Sequence, residues 1–272
     1  MDALIQLLVG FLVAVAIAWL AYSLHSLSRS GAFAAALVGT IIFGLGGWQW
    51  AVILLVFFIT SSLLTRLFKK QKVVLVDKFS KGGQRDASQV LANGGIAALF
   101  AGLSFFLPGV DWFWWAFAAS VAAVNADTWA TEIGVLSPDL PRLITNGKPV
   151  DRGTSGGISL FGTLAALAGS ALVSLLAVLI RPSGSPGWVV AFLIFTSSGL
   201  LGALLDSLLG ATVQGIYYCP RCGKETERHP LHLCGTQTGL IRGWNWLNND
   251  LVNVACAASG ALLAAITYGL FV

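Results

Sequence analysis

The chain has 272 residues, of which 56% are hydrophobic and only 10% are charged, and its formal net charge at pH 7 is +4. Soluble domains carry about 25% charged residues, and the mean hydropathy of this chain is +0.80. These values exclude a soluble globular enzyme, a disordered tail and a disulfide-rich scaffold. They predict a protein built mainly of membrane-spanning helices.

Eight apolar runs approach the length of about 20 mostly apolar residues that a spanning helix needs. The second and third runs are separated only by the Gly46–Gly47 pair, which predicts either a tight helical hairpin or a re-entrant dip. The predicted fold class is therefore an all-α, polytopic transmembrane helical bundle of about eight (six to eight) spans, with residues 1–272 as one membrane domain. The predicted spans are 3–24, 30–46, 48–66, 88–107, 112–133, 156–180, 187–213 and 251–271.

The basic residues predict the orientation, because Lys and Arg are concentrated in cytoplasmic loops. With alternating spans and an outer N-terminus, fifteen of the sixteen basic residues fall on the cytosolic side, and only Arg181 falls outside. We therefore expect both termini outside and cytosolic loops over 67–87, 134–155 and 214–250. The aromatic run 112–115 then predicts an interfacial belt on the outer side.

Polar residues in several predicted spans lie at a similar depth. Intramembrane charges are costly, so each one is a functional hypothesis. At 1.5 Å per residue, Asp127, Asp206 and Asn93 lie about 7–11 Å below the cytosolic surface. The same layer includes residues that open the sixth and the last spans, namely Ser155, Ser159, Asn249, Asp250 and Asn253. This pattern predicts a site that is filled from the cytosol and admits a lipid tail.

Two carboxylates in the fifth predicted span point in different directions. Asp127 and Glu132 are about 140° apart around a helix that turns 100° per residue. Either the helix breaks near Gly134, or the two acids serve different ligands. The functional interpretation is that carboxylates hold Mg²⁺ on a nucleotide, and the alternative is polar contact between helices.

The seventh predicted span combines Asp206 and Ser207 with a stripe of glycines, Gly199, Gly202 and Gly210. Small residues on one stripe allow close helix packing. A glycine-lined wall beside a carboxylate also leaves space for a phosphate and its metal ion, and the two interpretations are compatible.

Two glycine-rich stretches are candidate phosphate sites. One leads into the sixth span through Gly153, Thr154, Ser155, Gly156 and Gly157, with Lys148 and Arg152 beside it. A helix N-terminus with nearby cations binds anions, whereas Thr154 or Ser155 acting as a plain N-cap is the alternative. The other stretch, 81–86, predicts a phosphate clamp or a contact with anionic lipid head groups equally well.

The third cytosolic loop contains a Cys-x₂-Cys-Gly motif at Cys219 and Cys222, followed by Cys234. This motif resembles half of a zinc ribbon, with His232 or His229 as the fourth ligand. Cytosolic placement argues against a disulfide. The sequence thus predicts a structural zinc knuckle within 214–250, and a reduced, metal-free loop is the alternative.

Five ordered motifs resemble the integral-membrane family known as domain of unknown function 92, which includes the transmembrane protein 19 group and the phytyl-phosphate kinase of plants and cyanobacteria. The resemblance extends from about residue 30 to the C-terminus and is far more specific for the family than for the substrate. The motifs occupy residues 82–93, 125–134, 153–157, 206–210 and 246–253.

The resemblance implies a membrane-embedded kinase. Such an enzyme transfers a phosphoryl group from a nucleoside triphosphate, with CTP favoured, to an isoprenyl monophosphate such as phytyl phosphate, in a tocopherol-type salvage reaction. Mg²⁺ is the expected cofactor, Zn²⁺ is structural, and the partners are membrane lipid, the prenyl monophosphate and the nucleotide, not nucleic acid. The active site is expected to face the cytosol of a bacterial or archaeal plasma membrane or a thylakoid-like membrane. A transporter or a lipid-binding protein for an anionic amphiphile is the alternative.

The resemblance also implies residue roles. Asp127 and Asp206 are expected to hold Mg²⁺, with Glu132 as a third carboxylate and Lys148 on the transferred phosphate. Arg85 is expected to hold the lipid monophosphate. The complete set of expected phosphate- and substrate-binding residues is Arg85, Asn93, Arg152, Gly153, Thr154, Ser155, Gly156, Gly157, Ser207, Asn249, Asp250 and Asn253.

Overall fold

The computed structural model describes residues 3–68, 81, 83–181 and 187–271. Lys69, Lys70, Lys72, Lys78 and Gly82, which belong to the first predicted cytosolic loop, lie outside the described residues. The described helices are α1 (Ala3–Ser23), α2 (Arg29–Ile41), α3 (Trp48–Leu67), α4 (Ala87–Phe106), α5 (Trp112–Gly134), α6 (Leu160–Ile180), α7 (Trp188–Thr212) and α8 (Asn249–Phe271).

Seven of these helices, counting α2 with the turn that follows it, are long and apolar enough to cross a membrane. The eighth, α5, is enclosed by the others: it packs against α3, α4, α6, α7 and α8, and residues 113–126 are all buried. An enclosed helix needs no lipid-facing apolar surface, and its many alanines let its neighbours approach closely. The prediction of a polytopic helical bundle is confirmed.

The Gly46–Gly47 pair forms a tight turn. A π-helical turn, Ile42–Gly46, ends the second span, and Gly47 (φ 98°) then reverses the chain into α3. Helix α1 packs directly on this π-helical turn, because a Cβ on Gly10 would lie 2.6 Å from the backbone nitrogen of Gly44. Both flanking segments, Arg29–Gly46 and Trp48–Leu67, are long and apolar enough to cross a membrane, which favours two spans over a re-entrant dip.

The aromatic run at the start of α5 is packed inside the bundle. Trp114 and Trp115 are buried, with their rings 5.1 Å from Trp50 and 4.8 Å from Phe195, respectively. The prediction of an interfacial belt is wrong for these two residues, because the neighbouring helices enclose residues 113–126 of α5.

Connecting segments meet at one end of the bundle, which we call the loop face and define as residues 24–28, 81–86 (except 82), 135–159 and 213–248. The four helices that begin at this face are all N-capped by a polar side chain. A capping side chain accepts a bond from an otherwise unpaired backbone N–H group of the first turn. The capping residues are Ser28 for α2, Asp86 for α4, Ser159 for α6 and Asn248 for α8.

Two small sheets lie at the loop face. Strand β1 (Arg142–Leu143) pairs with β2 (Gly157–Ile158), and a three-stranded antiparallel sheet contains β3 (Ile216–Cys219) between β4 (Lys224–Thr226) and β5 (Gly239–Arg242). The third predicted loop is thus a folded unit.

Candidate functional site

Three carboxylates from distant parts of the chain interact electrostatically below the loop face. Asp206 of α7 interacts electrostatically with Asp127 of α5 and with Glu227, which follows β4. From the helix ends, Asp127 and Asp206 lie about 9–10 Å inside the bundle at 1.5 Å per residue. The Oδ2 atom of Asp206 is buried and accepts no hydrogen bond among the described residues. We call Asp127, Asp206 and Glu227 the acid cluster.

Glu227 was not predicted from the sequence. It enters the acid cluster because Gln214, which is buried, donates a hydrogen bond from Nε2 to Glu227 Oε1 at 3.0 Å. The Oε1 atom of the same Gln214 accepts a bond from Ser155 Oγ at 2.8 Å. One glutamine therefore ties the glycine-rich segment to the Cys-containing loop beside the acid cluster.

The glycines of α7 are packing residues. A Cβ would lie 2.7 Å from Ala123 Cβ if it were added to Gly202, and 2.6 Å from Ser155 Oγ if it were added to Gly210. A Cβ added to Gly199 would clash with Ser170 Oγ. Close helix approach, the first of the two interpretations, accounts for this stripe, and the neighbours fill the space beside it.

Glu132 belongs to a different group of residues from Asp127. Helix α5 is continuous through Gly134, so the two acids keep their angular separation and serve different partners. Glu132 is buried and accepts a bond from Thr65 Oγ1 at 2.7 Å, and it interacts electrostatically with Arg85. Glu227, and not the predicted Glu132, is the carboxylate that joins Asp127 and Asp206.

Arg85 is held in place through its backbone. Its N–H donates to Ser26 O at 3.0 Å, and its carbonyl accepts from Ser28 N at 3.0 Å. A Cβ on Gly31 would clash with the Arg85 carbonyl oxygen, so glycine is required there for this approach. Because the backbone makes these bonds, the guanidinium group is available for other contacts.

The guanidinium group of Arg85 lies among aromatic rings. It is 5.8 Å from the ring centre of Phe57 and 5.7 Å from that of Phe58, and it donates to Ser62 Oγ at 3.2 Å. Burial lowers the pKa of Arg85, and the Glu132 carboxylate opposes that change. Arginine still remains protonated at neutral pH, so Arg85 is a partly desolvated cation.

An apolar cavity of about 220 Å³ adjoins Arg85. Side chains of α1, α2 and α3 line it with aliphatic and aromatic groups, and Arg85, Gln89 and Asn93 form its polar end. This combination of a long apolar wall and one cation fits an amphiphile with an anionic head group. Arg85 and Asn93, which were predicted independently, are brought together here.

Asn125 joins three helices inside the bundle. It is fully buried, donates from Nδ2 to Gly169 O at 2.8 Å, and accepts at Oδ1 from Thr60 and Ser61. These contacts are the polar helix–helix interaction that was the alternative interpretation for this part of α5. Asn125 therefore fixes the position of α5 against α3 and α6.

The sequence predicted that the glycine-rich segment lies at a helix N-terminus. In the structure it does not. Helix α6 begins at Leu160 with Ser159 as its N-cap, so neither Thr154 nor Ser155 caps it. Gly153 and Gly156 have positive φ values of 75° and 84°. A Cβ on Gly156 would lie 2.5 Å from Ala211, so this segment packs directly on the end of α7.

The two cations beside this segment have different surroundings. Arg152 donates to the backbone carbonyls of Val135 at 3.0 Å and Pro138 at 3.0 Å, which stabilises the chain after α5. Lys148 is exposed on the turn that joins β1 to β2, where its carbonyl accepts from Leu143 N. The structure thus gives Arg152 a local structural role, while a role for Lys148 stays a prediction.

The polar residues at the start of α8 lie next to the loop face. Asp250 accepts a bond from Lys81, which also contacts Asp86 at 3.0 Å, so this lysine joins the beginnings of α4 and α8. One turn further on, Asn253 lies half-buried on the helix face of Cys256, and Cys256 interacts electrostatically with Asp127. The roles predicted for the half-buried Asn249 and Ser207, as for Thr154 and Gly157, stay predictions.

The predicted metal ligands converge. One ligand atom from each of Cys219, Cys222, His232 and Cys234 lies within 4.8 Å of all the others, whereas His229 stacks on Tyr217 at 4.5 Å. Hydrogen bonds with Thr236 and His232 lower the pKa of Cys234 to about 5. The four-residue group, which we call the Cys₃His cluster, therefore contains a thiol that ionises readily.

Comparisons with known proteins agree on the kind of protein. The model of a family described as integral membrane protein DUF92 matches residues 12–261. Protein PGR of Arabidopsis thaliana is 34% identical over 96% of this chain and 96% of its own length. Uncharacterized membrane protein MJ0933 of Methanocaldococcus jannaschii is 35% identical over 78% of this chain and 84% of its own. Protein VTE6, chloroplastic, of Arabidopsis thaliana is 27% identical over 88% and 65%, respectively. No solved structure matches the chain.

Proposed function

The chain belongs to the integral membrane protein family DUF92, and on that basis we propose that it is a membrane-embedded kinase. Its donor is a nucleoside triphosphate, with CTP favoured, and its acceptor is an isoprenyl monophosphate such as phytyl phosphate, which becomes the diphosphate. The resemblance of its motifs to the phytyl-phosphate kinase group supports this choice of reaction.

The observation that carries the proposal is the pair of opposite polar sites around α5. Asp127 belongs to the acid cluster, and Glu132, five residues later, interacts electrostatically with Arg85, which borders the apolar cavity. Five residues correspond to about 7.5 Å along a helix axis. A phosphoryl transfer between a water-soluble donor and a lipid acceptor needs two such sites side by side near one membrane surface.

The acid cluster fits a divalent cation. Carboxylates that interact in a buried setting repel one another, so a bound cation would stabilise the acid cluster. The buried, unpaired Oδ2 of Asp206 is an oxygen ligand of the type that Mg²⁺ prefers. When bound, Mg²⁺ neutralises charge on the nucleotide phosphates. Asp127, Asp206 and Glu227 would hold it.

The cavity beside Arg85 fits the acceptor. An isoprenyl chain is an apolar, branched hydrocarbon, and the cavity walls are aliphatic and aromatic. The guanidinium group would bind and orient the monophosphate, which is already an anion and needs no strong general base. Catalysis in phosphoryl transfer is mostly positioning and electrostatic stabilisation, which are the two tasks that these residues can perform.

The loop face is proposed to be cytosolic, with both termini outside, because fifteen of the sixteen basic residues fall on that side in an alternating arrangement. In that orientation the acid cluster would lie near the end of the bundle that faces the nucleotide-containing compartment.

The test is phosphate transfer by the full-length protein purified in detergent. It would be given CTP, UTP, ATP or GTP with Mg²⁺, and phytyl or geranylgeranyl monophosphate, and the lipid products would be identified by mass spectrometry. We expect the prenyl diphosphate, with CTP as the best donor. Asp127→Ala and Asp206→Ala should abolish its formation, while Asp111→Ala, at the opposite end of α5, should leave it unchanged.

Each negative result has its own meaning. Full turnover by either acid-cluster variant refutes the assignment of the donor site. Absence of product from a folded protein that still binds nucleotide refutes the isoprenyl acceptor. If neither product nor nucleotide binding is found, the kinase proposal fails, and transport or lipid binding takes its place.

A further inference from the structure

The donor atoms of the Cys₃His cluster have the spacing of a closed tetrahedral metal site. The sulfur atoms of Cys219 and Cys234 are 3.6 Å apart, and His232 Nδ1 lies 3.5 Å from Cys222 Sγ and 3.3 Å from Cys234 Sγ. Zinc–sulfur bonds of about 2.3 Å place tetrahedral sulfur ligands about 3.8 Å apart. The four atoms therefore approach one another as closely as ligands of one zinc ion do.

Two similar turns present these ligands. Cys219 and Cys222 are followed by Gly223 (φ 65°), and the N–H of Gly223 donates to the carbonyl of Cys219 at 2.9 Å. His232 and Cys234 are followed by Gly235 (φ 79°), whose N–H donates to His232 O at 2.9 Å. Each turn contributes two ligands, as in the paired knuckles of structural zinc sites.

Glu227 lies in the segment between these two turns. It comes directly after Thr226, a buried residue at the end of β4 that pairs with Tyr217 of β3. The Glu227 carboxylate accepts from Gln214 and interacts with Asp206 of α7. The segment that the cluster closes is therefore the same segment that supplies the third carboxylate of the acid cluster.

We propose that Cys219, Cys222, Cys234 and His232 bind one structural Zn²⁺ ion, and that this ion holds the loop that carries Glu227 into the acid cluster. All four coordination positions are filled by protein, so the zinc takes no part in the chemistry. Through the position of Glu227, zinc binding therefore affects how tightly the acid cluster binds a divalent cation. The second half of the inference rests on the proposed function.

The first experiment measures metal content and local order in the full-length protein in detergent. We expect about one zinc per chain by elemental analysis, loss of that zinc in Cys222→Ser, and retention in Cys256→Ser, the matched variant of the cysteine in α8. Hydrogen exchange of residues 214–248 should accelerate in Cys222→Ser, while exchange in α5 and α7 stays slow. A wild-type protein without zinc, or an unchanged zinc content in Cys222→Ser, overturns the zinc site.

The second experiment tests the connection with Mn²⁺ as a paramagnetic substitute for Mg²⁺. Glu227→Gln and Cys222→Ser should each weaken Mn²⁺ binding about tenfold or more, as expected when a charged ligand is lost or displaced. The double variant should bind no more weakly than either single variant, because both changes remove the same carboxylate. Additive losses, or normal Mn²⁺ binding in Cys222→Ser, overturn the role of zinc in positioning Glu227.

Failure of the proposed function gives a different pattern. If the wild-type protein contains zinc but binds no Mn²⁺, then the acid cluster is not a cation site, and both the donor-site assignment and the second half of the inference fail. The zinc site itself is then still decided by metal content and hydrogen exchange.

Discussion

The sharpest test of the acceptor site is replacement of Arg85 by glutamine. The change removes the cation at the polar end of the apolar cavity, but it keeps the backbone bonds to Ser26 and Ser28 that position this residue. The variant should therefore fold, and Thr65 still donates a hydrogen bond to Glu132. What is lost is the charge that would bind the lipid monophosphate.

The magnitude follows from the contacts of the guanidinium group. One of its N–H groups bonds to Ser62, which leaves several donors for a phosphate. A hydrogen bond to a charged group contributes about 1.5–3 kcal/mol, which corresponds to a change of about 10- to 150-fold in binding. We expect the KM for phytyl monophosphate to rise by that factor in Arg85→Gln, while the KM for the nucleotide stays unchanged. The KM of Arg85→Lys for the lipid should lie between those of the wild type and Arg85→Gln.

The assay is steady-state transfer at saturating nucleotide and varied lipid phosphate in detergent micelles. Arg29→Gln is the matched control, because Arg29 is an exposed arginine at the loop face that contacts only Tyr22 among the described side chains. Its KM for the lipid should equal that of the wild type. An Arg85→Gln variant with an unchanged KM for the lipid refutes the acceptor site, provided that the variant melts as the wild type does.

Three further predictions concern stability in detergent, measured by thermal unfolding. Asn125→Ala leaves its buried polar partners on two other helices without the hydrogen bonds that Asn125 makes and should lower the free energy of unfolding by about 1–3 kcal/mol. An unchanged melting temperature would contradict the role of Asn125 in joining the three helices. Asp86→Ala removes the N-cap of α4 and should cost about 1 kcal/mol. Burial alone would raise the pKa of Asp86, but hydrogen bonds with the helix N-terminus and Lys81 lower it, so this contribution is full above about pH 4 and should vanish as the pH falls further. Gly156→Ala adds a methyl group against Ala211 at a positive φ and should destabilise the loop face, and equal stability would show that this packing is not needed.

Hydropathy was sufficient to predict the helical bundle. Spanning segments are long and continuous, so their local composition identifies them. The first residues of α4 and α8 lie within two residues of the predicted starts of these spans. The angular argument on α5 showed that a straight helix separates Asp127 from Glu132, but only the continuous helix in the structure decides against a break, and Glu132 had been assigned to the Mg²⁺ site. Arg85 and Asn93 were predicted separately as substrate-binding residues, and both lie near the same end of α4.

What could not be predicted depends on contacts between distant segments. The glycine-rich segment pairs with β1 and packs on α7, and nothing in its own residues indicates that strand. Glu227 lies among other charged residues of a polar loop, where an acid is normally solvated, and its bond from Gln214 and its interaction with Asp206 appear only in the folded chain. The available signal was the position of Glu227 between the Cys-x₂-Cys motif and Cys234, because ligands of one metal site draw the segment between them into a folded unit.

The central position of α5 explains why its sequence is the least lipid-like of the eight helices. A helix that touches lipid must be apolar on its outer surface, but α5 meets protein along residues 113–126. It can therefore carry Asn125 as a structural contact and direct one carboxylate to each side near the loop face. A helix at the edge of the bundle would expose one of those acids to hydrocarbon, at a cost of about 2.5–3.5 kcal/mol. The enclosed position thus permits Asp127 to join the acid cluster while Glu132, on another side of the same helix, interacts with Arg85.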